Sequence, residues 1–148
     1  LPASPVRYCN IPRVELFNLI SGGGSRLMSV HLSNAALREK WRSDEIIVDL
    51  GTRDATGRLV HLLLSLHKRL TKSADGENGR IPFPFRRVHL AEATGLTTVH
   101  IGRVLARLRA ENLVVLEGET LYLPDPPALA AFADLRLEDL NPPAAQAA

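Results

Sequence analysis

Arginines and small polar residues, rather than acids or thiols, are the chemistry-bearing groups of this 148-residue chain. They gather in residues 86–113, RRVHLAEATGLTTVHIGRVLARLRAENL. Arg86 and Arg87 open the segment, Thr97, Thr98, Val99 and His100 lie at its middle, and Arg103 follows. A guanidinium presents a planar fork of N–H donors that matches a phosphate, or the O6/N7 edge of guanine, bidentately. Threonine hydroxyls donate to phosphate, and apolar side chains meet the thymine methyl. Catalytic chemistry is poorly supplied by contrast. The five histidines, at 31, 61, 67, 89 and 100, form no known metal-ligand spacing. His61 and His67 read as boundary residues on an apolar helix. No Gly-rich phosphate loop or nucleophile motif is present. Cys9 alone excludes an internal disulfide framework and any cluster needing several thiolates from one chain. No catalytic residue, metal or cofactor is therefore expected.

The elements that must position these groups are two short helices, about 86–94 and 98–111, around a tight turn at Gly95. Ala91 falls where the helices cross, and a larger side chain there would push them apart. Leu90, Leu96, Ile101 and Val104 supply the apolar contacts between them. Ile101, Val104, Leu105 and Leu108 stand at i, i+3, i+4 and i+7 and must face the core. Thr98, Val99, Gly102, Arg103 and Ala106 then face outward. This is a helix-turn-helix, whose second helix enters the DNA major groove. Thr98, Val99 and Arg103 are the candidate base readers. Arg86, Arg87, Thr97, His100 and Gly102 are the candidates for the DNA backbone. Gly102 costs about 1 kcal/mol relative to Ala in a helix interior. It either admits close approach to the groove or packs near another helix. Arginines at a helix N-terminus oppose the macrodipole and cannot cap it, which favours use of Arg86 and Arg87 on phosphate. Asn112 suits the left-handed residue that stops the second helix. LVVLEGETLYL follows as a hairpin with Gly118 at its turn, a candidate wing.

Charge agrees with this reading. Net charge is +2, yet Arg58 to Arg109 holds ten Lys/Arg against three Asp/Glu. A basic zone of this kind points to nucleic acid. Aromatics make up 5% of the chain, which disfavours a base-stacking platform for single strands. At 45% apolar and 23% charged residues the composition is that of a globular protein. No apolar run approaches the roughly 18 residues of a membrane span, and no signal peptide pattern opens the chain, so a cytoplasmic location is expected.

Upstream, Val14–Ile20 suggests a short helix ended by Gly22-Gly23-Gly24, and Ser25 an N-cap. From residue 25 to 50 a long helix is expected, closed by Gly51. Leu27, Val30, Asn34, Leu37, Trp41 and Val48 follow an approximate 3.5-residue spacing, the period of a seam between helices. An amphipathic helix lying on its own domain is the alternative. A helix over 54–70 carries a stripe of Leu59, Leu62, Leu63, Leu66 and Leu70. IPFPF, broken by proline, fits an edge strand. Residues 128–134 form a last short helix, and 137–148 a disordered tail.

DATGRLVHLLLSL and LAEATGLTTVHIGRVLARLRAENLVVLEGETLYLPD resemble the C-terminal half of the Crp/Fnr family of bacterial transcription regulators. The resemblance covers roughly residues 10–136. It implies a mainly α fold with a small β-hairpin wing: a winged helix-turn-helix over 51–136, preceded by a dimerisation helix over 25–50. Residues 1–24 then correspond to a remnant of the N-terminal sensor domain and its linker. A homodimer on an inverted repeat in double-stranded DNA is implied, with RNA polymerase as a further partner. The family's β-roll and phosphate cassette have no counterpart here, so no response to cyclic nucleotide, haem or oxygen is expected. Thr97-Thr98-Val99-His100-Ile101 departs from the Ser-Arg-Glu-Thr-Val of members resembling the catabolite activator, which implies a different operator. Without a sensor, control falls to concentration or to pairing with a full-length relative. A winged helix that binds protein instead is the rival expectation.

Overall fold

A Leu-rich helix lies at the centre of the core. In the computed structural model, which describes residues 7–21, 26–71 and 79–140, this is α3, Ala55–Thr71. Before it come α1, Arg13–Ser21, and α2, Arg26–Thr52. After it come β1 (Arg80–Pro82), α4 (Arg87–Thr94), α5 (Thr98–Ala110), β2 (Val115–Glu117), β3 (Thr120–Tyr122) and α6 (Pro126–Phe132). A 3-10 turn over Leu137–Leu140 closes the described chain. The chain divides into two compact units that part at Ile46 and Ile47. In the first, α1 buries no residue.

The core belongs to the second unit. Asp54 starts α3 by accepting the N–H of Gly57 at 2.7 Å. Leu59, Val60, Leu63 and Leu64 are then buried, while Leu62, Leu66 and Leu70 pack at the margin. The buried arc is broader than the expected stripe because α4, α5, α6 and β1 all lie against α3. The strands form an antiparallel sheet in the order β1-β3-β2, with Ile81 and Leu116 both opposite Leu121. β1 is an edge strand, as its Pro82 requires. Glycine at 118 takes φ 57° in the turn between β2 and β3, a backbone conformation costly for other residues.

Three boundaries differ from expectation. Gly51 does not end α2, which continues to Thr52. Arg53 N–H still reaches Asp49 O at 3.2 Å, and Thr52 Oγ1 donates to Val48 O at 2.8 Å. The last turn is held by side chains as well. The Asp49 carboxylate takes the Arg53 guanidinium on one oxygen and lies 2.5 Å from His61 Nδ1 on the other. His61 is thus a buried partner of Asp49 rather than a boundary residue. Second, α6 begins at Pro126, two residues early, because Asp125 caps it on Ala128 N–H at 2.9 Å and Pro suits the first helical position. Third, the expected tail is folded through Leu140, which is buried and whose carbonyl accepts from Lys68 Nζ at 3.2 Å. Residues 141–148, the glycine run at 22–24 and the expected cap at Ser25 lie outside the described residues.

Candidate nucleic-acid interface

Two left-handed residues frame α5. Gly95 ends α4 at φ 67°, and Leu96 N–H returns to Ala91 O at 3.0 Å. A side chain at 95 would also come within 3.2 Å of Leu50 Cδ2. Ala91 is buried beneath this turn, as the close helix crossing demands. Asn112 ends α5 at φ 56°, and Leu113 N–H returns to Leu108 O at 2.9 Å. Both stops follow the same 6→1 hydrogen-bond pattern.

Within α5, Ile101, Val104, Leu105 and Leu108 are buried and hold the helix down. Leu90 of α4 is buried and Leu96 packs against the same core. The opposite face is open: Thr98, Arg103 and Ala106 are exposed, and Val99 is 62% exposed. Thr97 caps the helix, its Oγ1 accepting from His100 N–H at 3.2 Å. The hydroxyl proton of Thr97 remains available to an acceptor outside the chain. His100 is exposed. Among the described residues, a Cβ at Gly102 would meet only Arg87 Nη1, the far end of a side chain, at 3.7 Å. The Arg87 guanidinium therefore lies beside the outer face of α5.

α4 starts without a side-chain acceptor. Arg86 occupies the cap position, and its own N–H donates to His89 Nδ1 at 3.2 Å. The N–H groups of Arg87 and Val88 meet no acceptor among the described residues. Such a helix start attracts anions. Arg86, Arg87 and Arg103 likewise have no ion-pair partner among the described residues. Arg80, by contrast, is paired with Glu117 at 3.0 Å, and Arg107 stacks over the Phe132 ring at 4.7 Å.

Sequence reasoning missed Arg109. It joins Arg86 and Arg87 around a recess of about 280 Å³ between the start of α4, the second half of α5 and the wing turn at Gly118. An arginine in the last turn of α5 was the available signal, but its importance depends on where the wing returns.

The expected seam residues lie along α2. In the first unit Val30 and Leu37 are exposed and Asn34 and Trp41 partly covered; the side chain of Leu27 lies outside the described residues. In the second unit Val48 is exposed, as are Ile47 and Leu50, which the 3.5-residue spacing had not included.

Residues 57–132, just over half of the chain, match the Crp-like helix-turn-helix domain. The transcriptional activatory protein AadR of Rhodopseudomonas palustris is 26% identical over 106 residues, covering 72% of this chain and 44% of that protein. The fold is that of FixK2 from Bradyrhizobium japonicum, with a TM-score of 0.61 at 21% identity over 76% of this chain and 56% of that one. A CRP/FNR-family transcriptional regulator of Thermus thermophilus gives 0.54 at 27% identity over 73% and 53%. The chain thus spans about half the length of the relatives it matches. No helix among the described residues is long and apolar enough to cross a membrane. A helix pair stopped by left-handed residues, a wing closed by β1 and a match over that same stretch agree: the chain belongs to the Crp-like helix-turn-helix family and carries a Crp/Fnr-type winged helix-turn-helix.

Proposed function

We propose that this chain is a sequence-specific regulator that binds double-stranded DNA as a homodimer, on an inverted repeat, with α5 in the major groove. The observation that carries the reading is the outward face of α5, where Arg103 is exposed with no ion-pair partner among the described residues and the guanidinium of Arg87 lies over Gly102. Thr98, Val99 and Arg103 read base edges. Arg86, Arg87, Thr97 and His100 hold phosphates, and Gly102 lets the backbone come close. The exposed apolar residues of α2 support self-association, since contiguous exposed apolar surface marks interaction sites. Selection of bound duplexes from a randomised pool tests this. Enrichment of an inverted repeat, with affinity falling steeply as salt rises, is expected. A pool that stays random, or binding indifferent to salt, would overturn it.

A further inference from the structure

The recess beside the wing joins two features that backbone phosphate binding alone does not need together. Its rim is cationic: Arg86, Arg87 and Arg109, none with an ion-pair partner among the described residues. Its floor is apolar: Phe85, set edge-on to the buried Phe83 at 5.0 Å, and Leu116 are half-buried and present the open surface, above buried Leu90 and Leu105. No acidic side chain lines it. A DNA phosphate held at the rim would leave this floor unfilled, because phosphate has no apolar part. A ligand with a carboxylate head and an apolar body satisfies both halves. The head meets guanidinium forks, which pair with carboxylates bidentately. The body covers Phe85 and Leu116. At about 280 Å³ the recess lies just below the roughly 300 Å³ at which small-molecule sites begin, so it suits a small ligand.

We infer that this recess binds a small organic carboxylate with an apolar body, and that its occupancy competes with DNA. The competition rests on the proposed phosphate role of Arg86 and Arg87; the binding does not. A ligand that engages their guanidiniums removes them from the backbone, so DNA affinity falls as the ligand rises, by the differential affinity that any such coupling requires. The reading head then carries its own control, separate from any sensor and outside the expectation that concentration and pairing alone regulate it.

Calorimetric titration of 1-naphthoate and of octanoate into the purified chain, without DNA, is the first test. Saturable binding at one site per chain is expected for at least one probe, and the tighter of the two assigns an aromatic or an aliphatic body. Neutral 1-naphthylmethanol and inorganic phosphate should each bind at least tenfold more weakly. Arg109→Ala should weaken the carboxylate at least tenfold, while circular dichroism stays unchanged because Arg109 is exposed. Absence of saturable binding by either probe, or binding indifferent to Arg109→Ala, overturns the site. Repeating a DNA titration with the bound probe present tests the second half: a right-shifted DNA isotherm supports competition, and an unshifted one overturns it while the site stands. Because the first titration contains no DNA, its failure is distinct from failure of the DNA-binding proposal.

Discussion

Arg103 reaches outward from the middle of α5 while Ile101, Val104 and Leu105 beside it are buried. Its replacement by alanine should weaken binding to the selected site by about 1–3 kcal/mol and relax preference at one base pair in each half. Competition against duplexes substituted one base pair at a time measures both effects, and unchanged base preference would remove Arg103 from the reading set. Gly95 is a residue of another kind. With φ at 67° it takes a backbone conformation that a side chain makes costly, and a Cβ there would also push Leu50 Cδ2 aside by a few tenths of an ångström. Gly95→Ala should cost about 1–2 kcal/mol of stability, read as a lowered urea midpoint. Gly95, Asn112 and the two faces of α5 were legible in the sequence, because a left-handed stop and a 3.6-residue period are local properties. Arg109 was not, since its role arises only when the wing turn, nine residues on at Gly118, folds back beside it.

Among the elements, α4 sets helix capping against the proposed phosphate contact. Its cap position holds Arg86, whose side chain has no acceptor to offer the first turn. Arg86→Ser should raise stability by about 0.5–1 kcal/mol through a restored cap. The same change should weaken every DNA sequence alike and flatten the salt slope by about one unit. Thermal melting and salt-dependent binding of one variant check the opposite signs, and a loss of stability would show that Arg86 serves the fold. The end of α2 teaches a different lesson. A glycine after a long helical run predicts a stop, but Gly51 is carried through because Asp49 holds Arg53 and His61 around the last turn. Sequence spacing hides that arrangement, for His61 lies a helix away. Asp49→Ala removes the carboxylate that both groups share and should cost about 3 kcal/mol, seen as a large drop in melting temperature.

For the whole molecule, the proposed homodimer sets a geometric condition. Its two α5 helices must stand about 34 Å apart to enter successive major grooves on one side of the duplex, related by a two-fold axis. Leu37→Glu combined with Trp41→Glu should give monomers by sedimentation and bind an inverted repeat no better than a single half. A wild type that sediments as a monomer at micromolar concentration would count against the seam. The winged helix-turn-helix itself was legible throughout, including the edge strand, because turn chemistry and apolar period agreed. The closing turn at Leu137–Leu140 was not, since its anchorage depends on Lys68 and on burial of Leu140 far along the chain. One feature of the sheet has practical reach. Pro82 of β1 and Thr120 of β3 are register partners, so their Cα atoms lie about 5 Å apart. Phe83 N–H bonding to Glu119 O at 2.6 Å draws the same two strands together just beyond them. Everything between, α4, α5 and β2, leaves and re-enters the scaffold at one spot. Residues 83–119 are therefore a transplantable cassette: set into another protein with matching strands and a leucine-rich helix to cover, they should bring their operator preference with them.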